Sequence, residues 1–337
     1  MKKVVLLVFV MLCGFGCGCS KKESAPIIEE ETPSTEVTPE PKEIEIIDVN
    51  STTRPLAIVI NNSSVAVKVQ TGLQQAYMVY EFPVEGYQSR LMALYKDIDD
   101  LKIGTIRSAR HNFLDYAMEH DAVFVHFGWS HYAEDDEKNL GYDYINGIYG
   151  GPFWRENPEA LATEHTAYTS IGRIKEYMNS RGMRASSDQG LVLNYEVAGE
   201  DLTTKEGSLV ANNVLIPYSG RLNTTYEYDS ENKVYKRFVN GSANIDYYTK
   251  EQFTTKNIIV QKVNTKMASD NYYWDIETVG SGDGYYITNG YAVPIKWSKE
   301  SRSAKTKYTY VDGTEVLLND GNTYIQLQST SQNLTIN

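Results

Sequence analysis

The sequence predicts an α+β protein in which an amino-terminal α/β domain with a mixed sheet precedes a mainly antiparallel β domain. Short apolar runs suited to strands alternate with helical stretches in the first part of the body. After Pro217 there is little helical pattern, and repeated Asn-Gly and Asp-Gly pairs favour hairpin turns. All five histidines lie before this point, whereas tyrosine and threonine are dense after it. We therefore expect domains at residues 54–217 and 218–337.

In the first domain, five apolar runs are expected to form strands: residues 56–60, 76–80, 91–95, 122–127 and 191–193. Ser108 is expected to cap a helix over residues 109–119, because a serine oxygen can accept from the free N–H groups of a first turn. A second helix is expected over residues 171–181, ended by Gly182.

In the second domain, three runs are expected to form strands: residues 257–263, 272–279 and 308–311. Four dipeptides are expected to form the turns of hairpins: Asn240-Gly241, Asn289-Gly290, Asp312-Gly313 and Asp320-Gly321. This pattern indicates antiparallel pairing in the second domain.

The first 18 residues have the pattern of a signal peptide. Two lysines precede nine apolar residues at positions 4–12, and small residues follow around three cysteines. This apolar run is much shorter than the roughly 20 residues that span a bilayer as a helix. Small residues before a cysteine indicate a lipoprotein signal, with Cys19 as the lipidated residue and Cys17 as the alternative. A secretory signal that releases a soluble protein is the other interpretation.

Residues 19–53 form the predicted tether, which is rich in Glu, Pro, Thr and Ser. Such a segment buries too little apolar surface to offset its ordering entropy, so a solvated spacer is expected. The whole chain has a net charge of −12, and much of the excess lies outside the tether. An acidic body argues against a nucleic-acid partner, whose phosphates need a basic face. The expected partners are the membrane, through the lipid, and a ligand or protein of the cell envelope.

Several stretches carry a resemblance to a known family. They include Arg54-Pro55-Leu56-Ala57, Ile106-Arg107-Ser108-Ala109-Arg110, Val125-His126-Phe127-Gly128, His165-Thr166-Ala167-Tyr168 and Lys256-Asn257-Ile258-Ile259. With these residues the chain resembles the YerB-like lipoproteins, a two-domain family of unknown function. The resemblance covers nearly everything after the tether. It implies a cell-envelope location and brings no established chemistry with it. The lipoprotein signal refines this expectation to the extracytoplasmic face of the cell membrane.

Arg107 and Arg110 flank the expected helix start at Ser108, where free N–H groups and the helix dipole favour an anion. Together with Arg90 they predict an anion-binding cleft. The alternative is that these arginines only stabilise the domain by pairing with buried carboxylates. Three carboxylates are candidate partners: Glu81, Glu85 and Asp115.

His126 ends a predicted strand just before Gly128, and ligands in α/β sheets gather beyond the carboxyl ends of strands. It is therefore expected to contact the ligand, with His165 as a second histidine. A hydrogen-bonded structural role is the alternative for a lone histidine. His131, near two aspartates, would allow a metal site, but the spacing matches no usual zinc pattern. Neither a metal nor another cofactor is expected.

Two sequence features are compatible with a hydrolase. Gly128-Trp129-Ser130-His131 is similar to half of a nucleophile elbow, with Tyr132 in place of the second glycine; a cap for a following helix is the other role of Ser130. Glu81 and Glu85, on an extended strand, would be roughly 13 Å apart, beyond the separation that glycosidases use. A fold of the segment at Pro83 and Gly86 would shorten that distance, so a glycosidase pair is the weaker hydrolase hypothesis. The candidate catalytic residues are His126, Ser130, His165 and Glu81.

The sequence favours a binding or scaffolding protein of the cell envelope that recognises an anionic ligand or protein segment. The alternative is a cell-wall hydrolase that uses His126 as its general base.

Overall fold

The computed structural model describes residues 43–337, so the signal segment, Cys17, Cys19 and most of the predicted tether lie outside the described residues. Residues 43–53, which composition assigns to the tether, pack against the body. Ile47 is buried in the core, and the backbone N–H groups of Glu45 and Ile46 donate to the carboxylate of Asp320 at 3.0 and 3.1 Å. The folded body therefore begins before residue 54. Within this part of the chain, no helix has the length and apolar character needed to cross a membrane.

The elements of the first half are β1 (Leu56–Asn61), β2 (Met78–Val84), β3 (Gln88–Tyr95), β4 (Lys102–Gly104), α1 (His111–Glu119), β5 (Val123–His126), α2 (His131–Leu140), β6 (Tyr144–Asn146), β7 (Phe153–Arg155), β8 (Ala167–Ser170), α3 (Ile171–Ser180), β9 (Tyr195–Glu196), β10 (Leu209–Val210) and β11 (Asn213–Pro217). Five short 3₁₀ turns connect some of them.

The elements of the second half are all strands: β12 (Asn223–Asp229), β13 (Val234–Val239), β14 (Ser242–Ala243), β15 (Thr254–Thr255), β16 (Asn257–Val263), β17 (Thr265–Met267), β18 (Trp274–Ile276), β19 (Gly280–Thr288), β20 (Tyr291–Lys299), β21 (Lys307–Tyr310), β22 (Leu318–Asn319), β23 (Thr323–Ser329) and β24 (Thr335–Ile336). The protein is thus α+β, with its helices confined to the first half.

Strands from both halves build one eleven-stranded sheet. Its order is β10-β20-β19-β16-β23-β2-β3-β1-β5-β6, and β21 pairs with β20 beside this path. The neighbours β1, β5 and β6 are parallel. Helix α2 connects β5 to β6, whereas β2, β3, β4 and α1 all lie between β1 and β5 in the chain. Strand β23 pairs in parallel with both β2 and β16, which joins the halves edge to edge. The predicted division near residue 217 lies within this shared architecture and stays a prediction.

The central sheet carries a core on each of its faces. Alternate residues of one strand point to opposite sides, so Val59 of β1 joins the core beneath α1 and α2 while Ile58 joins the core on the other face. That second core packs against α3 and against a six-stranded sheet of order β14-β13-β12-β11-β24, with β15 paired to β13. Three smaller sheets complete the fold: β4-β8-β7, β17-β18 and β9-β22.

Several local predictions need correction. The first helix begins at His111 rather than residue 109, and Ser108 does not cap it; the Ser108 hydroxyl donates to the Phe127 carbonyl at 3.1 Å. Residues 191–193 are not a strand. Asp320-Gly321 joins β22 to β23, which do not pair with each other, so this turn closes no hairpin. By contrast, Asn289-Gly290 is the two-residue loop between the paired strands β19 and β20, with both residues at positive φ.

Candidate functional site

The candidate site lies at the carboxyl ends of β1, β5 and β6, which meet at one edge of the sheet because the strands are parallel. The segment that precedes α1 fits between the ends of β1 and β5. The N–H of Arg107 donates to the Val59 carbonyl, and the Arg107 carbonyl accepts from the N–H of Phe127, both at 3.0 Å. This segment therefore fixes the backbone of Arg107 at the edge of the sheet.

Arg90 and Arg110 share one carboxylate, that of Glu85. Arg110 binds it through Nε and Nη2, with Nε to Oε2 at 2.9 Å, and Arg90 Nη2 lies 3.7 Å from Oε1. Burial raises the pKa of Glu85, but the hydrogen bond and charge of Arg110 together with the charge of Arg90 and a backbone hydrogen bond outweigh burial, so the pKa is lowered. Burial, and then the neighbouring Arg110, hold the pKa of Arg90 well below its usual value. Both arginines are buried, and Arg110 also lies against the ring of Tyr273 at 4.9 Å.

Arg107 is the most accessible of the three predicted arginines, with 26% of its side chain exposed. Its Nη1 donates to the Glu164 carbonyl at 3.0 Å, and its Nη2 is 4.0 Å from the Glu164 carboxylate, which is itself half exposed. This wide ion pair leaves guanidinium donors free for a solute.

His165 lies beside Arg107. Asn61 Nδ2 is 2.8 Å from His165 Nδ1, and because the amide is the donor, the ring hydrogen belongs on Nε2. Burial, and then the charge of Arg107, lower the pKa of His165, which favours this neutral form. Both side chains therefore present N–H donors at this edge, which suits an anion.

Arg155 is a further arginine at this edge that sequence reasoning missed. It is exposed, its guanidinium stacks on the ring of Phe127 at 4.4 Å, and its charge helps to lower the pKa of Arg107. Arg155 lies in β7, which reaches this edge only through the β4-β8-β7 sheet. No local pattern marks it, since its role depends on that pairing.

We call Arg90, Arg107, Arg110 and Arg155 the arginine cluster. Four guanidinium groups face two carboxylates there, those of Glu85 and Glu164. The local charge is therefore positive, although the whole chain has a net charge of −12. A small positive region on an acidic protein attracts anions over a short range. The negative charges elsewhere on the protein are screened by salt, so they repel an approaching anion only weakly.

His126 lies in the interior behind this edge. Its side chain has no exposed surface; Nδ1 is 2.9 Å from the Gly128 carbonyl, and Nε2 is 2.9 Å from the Glu137 carboxylate in α2. The Nε2 contact is poorly aligned for a hydrogen bond. The imidazole therefore cannot touch a solute here, and a structural role for His126 fits these contacts.

The other catalytic candidates do not converge with His126. The Ser130 hydroxyl caps α2 by accepting from the Ala133 N–H at 3.3 Å. Glu81 is fully buried in an ion pair with Arg237, a residue of the second half. Asp115 pairs with Arg302 at 2.6 Å rather than with the arginine cluster. Of the sequence-predicted site, the structure brings together Arg90, Arg107, Arg110 and His165.

The chain is similar to proteins whose role is not known. Residues 43–184 match the family described as "Protein of unknown function (DUF3048) N-terminal domain", and residues 193–325 match its C-terminal domain. The chain is 28% identical over 252 residues to the "Putative lipoprotein YerB" of Bacillus subtilis (strain 168), covering 73% of each chain. The crystal structure of YerB protein from Bacillus subtilis is also similar, with a TM-score of 0.72 and 25% identity over 84% of this chain and 94% of that one. The two family matches together span most of the chain, and the chain belongs to this two-domain, YerB-like DUF3048 family.

Proposed function

We propose that this protein is a lipid-anchored binding protein on the extracytoplasmic face of the cell membrane, and that its arginine cluster holds an anionic envelope ligand. The observation that carries the binding role is the accessible Arg107 beside His165. Within residues 43–337, the ion pair of Arg107 is the wide one with Glu164 at 4.0 Å, whereas the buried Arg90 and Arg110 share Glu85. In this proposal the two buried arginines raise the local positive potential, and Arg107, Arg155 and His165 contact the ligand.

The anchor is proposed at Cys19, with Cys17 as the alternative. The support is the short apolar signal followed by small residues and a cysteine, together with the word lipoprotein in the name of the Bacillus subtilis relative. Radiolabelled palmitate should enter the full chain expressed in a bacterial host, and Cys19→Ala should abolish the label while Cys17→Ala retains it. Labelling that survives Cys19→Ala and is lost in Cys17→Ala would move the anchor to Cys17.

A hydrolase with His126 as base is not proposed, because the imidazole has no exposed surface and lies between Gly128 and Glu137. A general base must come within hydrogen-bond reach of the proton that it removes.

The binding role is tested with fluorescein-labelled hexaglutamate and a labelled glycerol phosphate oligomer, followed by fluorescence anisotropy at low and high salt. Arg107→Gln should weaken binding about tenfold, equivalent to about 1.4 kcal/mol, and leave the melting temperature unchanged. Arg181→Gln is the matched control, since Arg181 is an exposed arginine just after α3. Equal binding by wild type, Arg107→Gln and Arg181→Gln would remove the arginine cluster as a binding site.

A further inference from the structure

A separate pocket lies at the opposite end of β1 from the arginine cluster. It is bounded by the start of β1, the residues at and after the end of β3, and one face of α3, and its volume is about 210 Å³. The walls are mostly apolar: Leu56, Tyr95, Ile98, Ile171, Met178 and Ala185. The pocket is therefore independent of the site that carries the proposed function.

The walls favour an apolar occupant over water. The apolar side chains that form most of these walls offer a water molecule no hydrogen-bond partner, whereas a buried water needs two or more polar partners. An apolar group entering the pocket would bury its surface against Leu56, Ile171 and Met178 and gain the usual hydrophobic contribution. The volume suits a tail of about six to eight heavy atoms.

Two lysines are among the residues that line the pocket. The Lys96 ammonium donates to the Ser51 carbonyl at 2.7 Å, and the Lys175 ammonium donates to the Ile98 carbonyl at 2.6 Å. An ammonium has three donors, so each retains two. Over residues 43–337, neither lysine has a carboxylate within 4.0 Å.

The other two charged lining residues are already engaged. Arg54 is buried and binds the Asp143 carboxylate at 2.5 Å and the Asp121 carbonyl at 2.7 Å. Asp97 accepts from the Ser51 hydroxyl at 2.7 Å. The free charged donors among the lining residues therefore belong to Lys96 and Lys175, and they complement a negative head group.

We propose that this pocket binds a short aliphatic carboxylate of about six to eight carbons. Its tail lies between β1 and α3, and its carboxylate accepts from Lys96 and Lys175. The aliphatic walls select the tail, and the two ammonium groups select a carboxylate over an alcohol or an amine of the same length.

The test is isothermal titration of residues 43–337 with octanoate, octanol and octylamine. Octanoate should bind saturably with one site, and more tightly than octanol or octylamine. The double variant Lys96→Gln with Lys175→Gln should weaken octanoate about tenfold, near 1.4 kcal/mol, and leave octanol within about twofold because its tail contacts persist.

Two further variants of this chain serve as a control and as a test of the pocket itself. Lys266→Gln with Lys307→Gln is the matched control, since these exposed lysines lie in β17 and β21, away from the pocket; its octanoate affinity should equal that of wild type. Ile171→Trp should fill the pocket and abolish binding of octanoate and octanol alike, with a thermal melt to show that it is folded. No saturable octanoate binding by wild type would overturn the proposal, as would octanoate affinity that survives Ile171→Trp in a folded protein.

Discussion

Glu81 and Arg237 form an ion pair in which neither side chain is exposed, with Glu81 Oε2 and Arg237 Nη2 3.0 Å apart. Glu81 lies in β2 of the first half and Arg237 in β13 of the second, so this pair ties the central sheet to the six-stranded sheet. Glu81 also accepts from Ser89 at 2.6 Å and from Asn62 and Thr224 at 3.0 Å. The carboxylate is thus almost fully satisfied by protein donors.

We predict that Arg237→Met lowers the free energy of unfolding by about 3 to 5 kcal/mol, because it leaves the Glu81 charge buried and unpaired. Adding Glu81→Gln should restore part of that loss, since the double variant has no buried charge. Urea unfolding of each protein measures the effect. Asp283→Asn serves as control: it breaks an ion pair with Lys296 that is mostly exposed, and should change stability by less than about 1 kcal/mol. A double variant as unstable as Arg237→Met alone would show that the charge is not the cause.

A second prediction concerns stability: the buried Arg90 and Arg110 should contribute to it, whereas the accessible Arg107 should contribute little. Glu85→Gln should lower the free energy of unfolding by about 1.5 to 3 kcal/mol, because Arg90 and Arg110 lose their shared partner. Arg107→Gln should stay within about 0.5 kcal/mol of wild type. Thermal melts compare the two, and similar losses in both variants would contradict the division.

A third prediction concerns His120, which is buried between Tyr77 and Tyr80. Its Nε2 is 2.9 Å from the Tyr80 hydroxyl, and its Nδ1 is 3.3 Å from the Tyr77 hydroxyl. Burial lowers the pKa of His120 to about 4. Because the unfolded chain takes up this proton near pH 6.5 and the folded protein only near pH 4, His120 destabilises the fold progressively as the pH falls between those values.

His120→Gln should therefore lose less stability than wild type between pH 7.5 and pH 4, by up to about 3 kcal/mol. Urea unfolding at a series of pH values measures the difference between the two proteins. His131→Gln is the control for the same substitution at a half-exposed histidine. Parallel profiles for His120→Gln and wild type would contradict the assignment to His120.

A fourth prediction follows from the packed start of the body. A chain that begins at residue 54 should be less stable than one that begins at residue 43, by about 1.5 to 3 kcal/mol for the loss of the Ile47 side chain alone. Ile47→Ala in the longer chain should reproduce much of this loss, whereas Val49→Ala should not, because Val49 is exposed. Neither chain contains a cysteine, so dithiothreitol should leave both melts unchanged. Equal melts for the two lengths would contradict the contribution of residues 43–53.

Local patterns predicted those elements whose stability is local. Residues 257–263 match β16, and the Asn289-Gly290 turn matches its hairpin, because an apolar run and a turn dipeptide each determine their own conformation. The predicted start of α1 was wrong by two residues, because the backbone of Ala109 pairs with the loop between β5 and α2 and does not enter a helical turn. Ser108 therefore had no helix end to cap.

The candidate site was predictable only in part, because local patterns do not reveal contacts between distant parts of the chain. The spacing of Arg107 and Arg110 and their nearness to Gly128 could be inferred from the strand-helix pattern. The burial of His126 could not, because it depends on Glu137 of α2 and on the rings of Phe124 and Tyr144. Glu85 as the shared partner and Arg155 as a neighbour depend on long-range packing that one sequence does not reveal.

Because β23 lies between β2 and β16, the central sheet cannot be completed before the last part of the chain is in place. Until the last part of the chain is available, β2 has an open edge with unpaired N–H and C=O groups, which is the kind of edge on which chains aggregate. Because Met78 pairs with Thr323, the central sheet closes only after a very long loop has been ordered, and such distant pairings slow folding. We therefore expect refolding in vitro to be slow and its yield to fall as protein concentration rises, and a nascent chain lacking β23 to need protection of β2.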